Sequence, residues 1–262
     1  VRRALLLLAG ICAACGPVPL VVNPIPPHPI SVGLNAGYHG WSSDDFAFCP
    51  AMIRSPHTSG ASLRAFMNAA SVDCPVLALV ETPDVALAVE LAREQPPALE
   101  LGNELELKPF ELTPGQYGEW IARAVHALLD AEYHGTVVMG GVYALTNETK
   151  AAIRWGLMAC TDHGLRCVIG IHLYDASDAD VQWLRNLDWP IWVTEVGYPT
   201  RCDPARMQQQ HDYLAAQIAR FSTVPKLERV FLYQRADGLP GDCSDLGTFG
   251  IANKPAQLLL HP

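Results

Sequence analysis

From Ile30 onwards the chain repeats one unit: a short apolar run, a turn, then a stretch with apolar residues at helical spacing. The apolar runs are Ser31–Gly37, Ala51–Ser55, Val76–Glu81, Ala98–Leu105, Val137–Tyr143, Val168–Tyr174, Ile191–Gly197 and Arg229–Gln234. Most are continuous Val/Ile/Leu stretches, the pattern of strands covered on both faces. Between them the spacing predicts helices over Ala61–Ala70, Asp84–Glu94, Pro114–Tyr133, Glu148–His163, Ala179–Leu187 and Pro204–Phe221. Thr113-Pro114 reads as a helix N-cap followed by proline in the first turn, and Gly135 and Gly164 as helix ends. Strands joined by helices pair in parallel, and eight of them in roughly 230 residues predict an α/β fold, a single (β/α)8 TIM barrel with few decorations. An open doubly wound sheet is the alternative, but no glycine-rich phosphate loop follows the first strand.

Composition narrows the function. Of 262 residues half are hydrophobic and 17% charged, enough apolar surface for a large core. The net charge is -9 and no Lys/Arg-rich run stands out, which argues against nucleic acid as a partner. No apolar stretch reaches the roughly 18–20 residues of a membrane span. Arg2 and Arg3 precede the apolar run Ala4–Ile11, the order of a secretory signal, expected over residues 1–15. Cys12-Ala-Ala-Cys15-Gly16 resembles a bacterial lipobox with Cys15 as the lipidated residue; cleavage without lipidation is the alternative. Pro17, Pro19, Pro24, Pro26, Pro27 and Pro29 make residues 16–29 an extended linker, leaving 30–262 as the barrel. The expectation is an exported monomer, periplasmic or at the cell surface, with an anchor at Cys15.

Export leaves Cys49, Cys74, Cys160, Cys167, Cys202 and Cys243, an even set that reads as disulfides. On the barrel, Cys49 and Cys74 precede neighbouring strands at one end. Cys160 ends a helix and Cys167 begins the next strand at that same end, while Cys202 and Cys243 follow the last two strands at the other. The predicted pairs are therefore 49–74, 160–167 and 202–243.

Reactive groups of such a barrel sit where strands end at the C-terminal face. Those positions hold Arg54, Glu81, Asn103-Glu104, Tyr143, His172-Leu-Tyr174, Glu195 and Tyr233-Gln234-Arg235. Asn-Glu ending the fourth strand and Glu ending the seventh resemble the clan A glycoside hydrolases, retaining enzymes on a (β/α)8 barrel. The resemblance runs through residues 30–262 by strand position, and no motif is long enough to choose a family. It implies Glu104 as general acid/base, Glu195 as nucleophile, and Asn103 as hydrogen-bond partner of the sugar 2-hydroxyl. It also implies that Tyr174 and Arg54 hold Glu195 and that His172 is a further substrate-binding residue; Tyr143 and Tyr233, by their places at strand ends, are added as substrate-binding candidates. A retaining mechanism needs one carboxyl protonated and the other ionised, and a nearby Arg favours ionised Glu195.

One position departs from the clan's pattern. Its members commonly carry a Trp at the end of strand eight, where this chain has Phe231-Leu-Tyr233. Tyr233 would be a smaller platform, and Tyr38, Trp41, Tyr143 and Tyr198 are other stacking candidates. Glu106 and Asp175 read as supporting or surface residues, His57 as a cleft or loop residue, and Arg54 alternatively as a partner of Glu81. No His-Glu-x-x-His, paired Cys-x-x-Cys or calcium loop appears in the mature chain, so no metal or cofactor is expected. The function expected is cleavage of a β-linked oligo- or polysaccharide. A carbohydrate-binding lipoprotein without turnover and a transglycosylase are the alternatives.

Overall fold

The structure, a computed structural model, describes residues 30–36, 51–70, 74–107, 109–161, 164–174, 176–233, 250–251 and 255–260. Residues 1–29, where a leader and linker are expected, and Tyr38, Trp41, Cys49, Asp175, Gln234, Arg235 and Cys243 lie outside the described residues.

Strands β1 (Ser31–Asn35), β2 (Ile53–Pro56), β3 (Val76–Val80), β4 (Ala98–Asn103), β5 (Thr136–Val142), β6 (Arg166–His172), β7 (Ile191–Val196) and β8 (Leu227–Leu232) pair in sequence order. β1 closes on β8 in parallel, Ser31 opposite Arg229 through Leu34 opposite Leu232, so the sheet is a closed barrel. The helices are α1 (Gly60–Ala69), α2 (Val85–Ala92), α3 (Pro114–Asp130), α4 (Asn147–Thr161), α5 (Asp178–Arg185) and α6 (Ala205–Phe221), with a 3-10 turn over Pro255–Leu260.

Each helix start has a local cause. Ser59 and Asp84 cap α1 and α2 by accepting from the Ser62 and Leu87 N–H groups. Thr113 caps α3 in a reciprocal box with Gln116, with Pro114 in the first turn, and Ser177 does the same with Asp180 for α5. Outward strand residues such as Leu34, Ile53, Leu99 and Val193 pack with Leu63, Leu91, Ile121 and Leu128 of the helices. Inside the barrel, Met52, Leu77, Ala98, Val138, Val168, Trp192 and Phe231 form a separate apolar plug. Two residues above that plug the inward positions turn polar: Arg54 follows Met52 and Glu100 follows Ala98. The barrel is thus closed below and charged above.

Several boundaries differ from the sequence pattern. β4 stops at Asn103 rather than Leu105, because Glu104 adopts φ +49° and leaves the extended region. β2 runs through Pro56, whose nitrogen faces the β1 side, where pairing has already ended at Asn35 opposite Arg54. β8 begins at Leu227, opposite Ile191, two residues before the run expected from Arg229. Helix α3 ends at Asp130, so Gly135 is not its terminus. Its side-chain-free Cα instead fits against Pro96, whose carbonyl oxygen would be 2.6 Å from an added Cβ. Cys160 and Cys167 form a disulfide as expected, with Cα atoms 6.1 Å apart. Cys74 and Cys202 are also disulfide-bonded, and their expected partners, Cys49 and Cys243, lie outside the described residues.

Candidate active site

The C-terminal strand ends converge on Glu195, at the end of β7. Its Oε1 accepts from Arg54 Nη1 (2.5 Å) and from Asn35 Nδ2 (3.3 Å), and its Oε2 accepts from the Tyr174 hydroxyl (2.7 Å). Strands one, two and six therefore each send one donor to this carboxylate. The Arg54 guanidinium, 1% exposed, spends its other donors on Asn103 Oδ1 (2.7 Å) and on the carboxylate of Glu100, which is wholly buried. Glu100 Oε1 also accepts the Gly141 N–H at 3.1 Å. Arg54 pairs with these residues and not with Glu81.

Glu104 points to the same space from β4. Its Oε1 lies 2.7 Å from His172 Nδ1, and His172 Nε2 is 3.7 Å from Glu195 Oε1, so the imidazole stands between the two carboxylates. One atom each of Glu104, His172 and Glu195 fall within 4.8 Å of one another. Glycine makes the room for this layer: a Cβ on Gly141 would strike the His172 ring, and one on Gly170 would stand 3.3 Å from Glu100 Oε1.

The electrostatics are asymmetric. Burial works against the ionised form of Glu195, but the charges of His172 and Arg54 and the Tyr174 and Arg54 hydrogen bonds outweigh it and lower its pKa. Burial likewise opposes the imidazolium of His172, yet the Glu195 charge and the Glu104 hydrogen bond raise its pKa. The Tyr174 hydroxyl is pushed well up by burial and by the Glu195 charge, which keeps it a donor. Tyr233 is pushed up to about 12 for the same two reasons. Glu195 is thus held as an anion in a buried setting, while Glu104, with a quarter of its side chain exposed, faces the cleft. The Glu104, His172 and Glu195 donors would suit a divalent cation by type. Both Glu195 oxygens are already taken, however, and Arg54 supplies positive charge beside them, which disfavours a second cation.

Around the carboxylates runs a row of rings. Tyr143 and Tyr174 are 6.1 Å apart at 33°, and Tyr174 meets Tyr233 edge-on at 6.4 Å. Tyr143 is half exposed. Beside His172 a cavity of about 130 Å³ opens, walled by Tyr143, Leu145, Tyr174 and Asp180. That space is an order of magnitude above what a single water needs. Tyr198 turns away from this row, its ring 5.2 Å from Tyr213 and under Arg206. His57 sits outside the barrel wall, edge-on to Phe66 and 3.2 Å from Ser62 Oγ, not in the cleft.

Two residues of the cluster were not read from the sequence. Asn35 ends β1 and had no neighbouring chemistry to mark it. Glu100 had a signal: a carboxylate inside the apolar run Ala98–Leu101, at an inward register two residues from Ala98.

No protein-family model and no curated protein sequence matches the chain. Solved structures do. GH5_18 from Streptomyces cattleya, in complex with GlcNAc, superposes with a TM-score of 0.64 at 15% identity over 88% of this chain and 78% of that one. An endo-beta-1,4-glucanase from Xanthomonas axonopodis pv. citri gives 0.60 at 13% identity over 88% and 97%. A GH128 (subgroup IV) endo-beta-1,3-glucanase from Lentinula edodes gives 0.59 at 13% identity over 88% and 98%. The chain shares the closed (β/α)8 barrel fold of these solved glycoside hydrolases. At these identities the likeness is one of fold and singles out no family within it.

Proposed function

We propose that the protein is a retaining glycoside hydrolase acting on a β-linked oligo- or polysaccharide, with Glu195 as nucleophile and Glu104 as general acid/base. The observation that carries this reading is the pair itself: two carboxylates at the ends of β4 and β7 with oxygens within 4.8 Å, one buried and held ionised, the other with a quarter of its side chain exposed. Retaining enzymes place their carboxyl groups about 5–5.5 Å apart, whereas inverting ones need about 6.5–9.5 Å to admit a water. In the first step Glu195 attacks the anomeric carbon while the Glu104 proton goes to the departing glycosidic oxygen. In the second, Glu104 takes a proton from water, which attacks the same carbon and releases Glu195. Arg54, Asn35 and Tyr174 orient the nucleophile, and Asn103, whose Oδ1 is held by Arg54, is assigned the sugar hydroxyl beside the reacting carbon. The fold shared with glucanases supports the substrate class. The short connections after β2, β3, β5 and β6 favour internal cleavage, and release of single sugars alone would count against that.

The test is product release from a panel of β-glucans, mannans, xylans, galactans and bacterial exopolysaccharides, with Glu104→Ala and Glu195→Ala alongside. Cleavage by the wild type, lost in both variants, with the first-formed sugar keeping its anomeric configuration by NMR, is the expected result. Activity surviving Glu195→Ala would sink the mechanism. A second reading is a sugar-binding protein without turnover, and one observation favours it: Tyr233 stands at the end of β8 instead of a Trp. No product from any glycan, with binding unaffected by Glu195→Gln, would select it. Products longer than the starting oligosaccharide would select transglycosylation. We also propose export with a lipid anchor at Cys15, tested by the mass of the mature N-terminus.

A further inference from the structure

Backbone pairing between β4 and β5 ends where Asn103 faces Gly141, because Glu104 turns into the left-handed region. The Glu104 N–H still reaches the Gly141 carbonyl at 2.8 Å. Two residues further on, the Tyr143 N–H donates to a side chain, Glu106 Oε1, at 2.5 Å. Glu106 is held in a tight turn, closed by the Leu107 N–H on the Glu104 carbonyl at 2.8 Å. A side-chain carboxylate therefore extends the strand ladder beyond the point where the backbone leaves it. One end of this brace is the turn that carries Glu104; the other is the strand end that carries the half-exposed Tyr143 ring. That ring walls the cavity next to His172, the imidazole whose Nδ1 meets Glu104 Oε1. In acid catalysis the leaving group sits on the side of the acid, so the two ends of the brace flank the same part of the substrate.

We propose that Glu106 is a positioning residue that fixes the Tyr143 ring relative to the Glu104 carboxyl and thereby sets the fit of the leaving group. The inference rests on Glu104 being the general acid. A carboxylate accepting from a backbone N–H makes a strong, directional bond, and an amide oxygen can make a weaker one in the same place.

The test compares wild type, Glu106→Gln and Glu106→Ala on phenyl and 2,4-dinitrophenyl β-glycosides of the sugar that the wild type releases. The phenyl group needs a proton to depart; the dinitrophenyl group does not. Glu106→Ala should lower kcat/KM for the phenyl glycoside about 10–100-fold, the scale of an ångström-level misplacement, and for the dinitrophenyl glycoside only a few-fold. Glu106→Gln should stay close to wild type on both. Equal losses on the two substrates, or a glutamine variant as poor as alanine, would overturn the proposal. Amide hydrogen exchange reads the brace without turnover: the Tyr143 amide should lose protection in Glu106→Ala and keep it in Glu106→Gln. That exchange pattern in a protein that cleaves nothing would retain the brace and reject the glycosidase reading. Unchanged exchange in an active enzyme would do the reverse. Glu106→Leu, which keeps bulk without an acceptor, replaces the alanine variant if that one does not fold.

Discussion

Arg54→Met is the most informative single perturbation of this barrel. The guanidinium is 1% exposed and serves two carboxylates at once, Glu100, wholly buried, and Glu195, with a side chain 7% exposed. Removing it leaves two buried anions facing each other without the cation between them. Breaking a buried pair by deleting one partner costs about 3–5 kcal/mol, because the remaining charge keeps its desolvation penalty without compensation. For a chain of this size that is a fall in midpoint of roughly 6–20 °C. Urea unfolding followed by near-UV circular dichroism measures it. The double variant Arg54→Met/Glu100→Leu removes one stranded anion, so its cost should fall short of the summed single costs by at least about 1 kcal/mol. Arg64→Met breaks a surface pair with Glu94, Arg64 being 65% exposed, and serves as the control with no measurable loss. A loss for Arg54→Met as small as the control, or costs that simply add, would refute the view that one buried cation holds both carboxylates.

The other predictions use the same network and its surroundings. Tyr174→Phe deletes a donor to Glu195 Oε2, one of the contacts that lower this carboxyl's pKa, so its pKa rises. The proposed mechanism requires the anion, so the acidic limb of the kcat/KM profile should move to higher pH by about one unit, the size of a hydrogen bond to a charged group. An unmoved limb would exclude Glu195 as the group titrating there. Burial lowers the His57 pKa from 6.5 to about 4. The unfolded chain therefore binds the proton first, and the stability present above pH 6.5 is lost as pH falls towards 4. Wild type should lose about 3 kcal/mol more than His57→Gln between pH 7 and pH 4 in urea titrations; parallel pH curves would contradict this. Cys160 and Cys167 are seven residues apart, and closing so short a loop stabilises by about 2.5 kcal/mol in the chain-entropy model. The Cys160→Ala/Cys167→Ala variant should lose that much with product release unchanged, since the bond lies at the end of the barrel opposite Glu195.

How much of this was legible in the chain follows from which signals are local. Continuous apolar runs alternating with helical spacing gave all eight strands and the closed order, because parallel strands buried on both faces leave that mark in any register. Glu104, His172, Tyr174 and Glu195 could be picked out because barrel chemistry collects where strands end, and strand ends show as the points where apolar runs meet polar residues. Glu100 is the opposite case. It lies in mid-strand, and in a run where both faces are apolar a charged residue reads as an interruption. Only the register, with Ala98 in the apolar plug and Glu100 the next inward position, reveals that it sits beneath Arg54. Its partner is 46 residues away, so no spacing rule reaches it. The turn at Glu104 was hidden for a related reason: φ +49° on a glutamate has no propensity signal and is held by the Gly141 carbonyl of the neighbouring strand β5. The strand ends announce which groups can react, while the residues that fix their charge and angle are inward, mid-strand or across a turn. Those positions are where a substitution that looks harmless in the sequence, such as Glu100→Leu alone, should disturb the Arg54–Glu195 pair most.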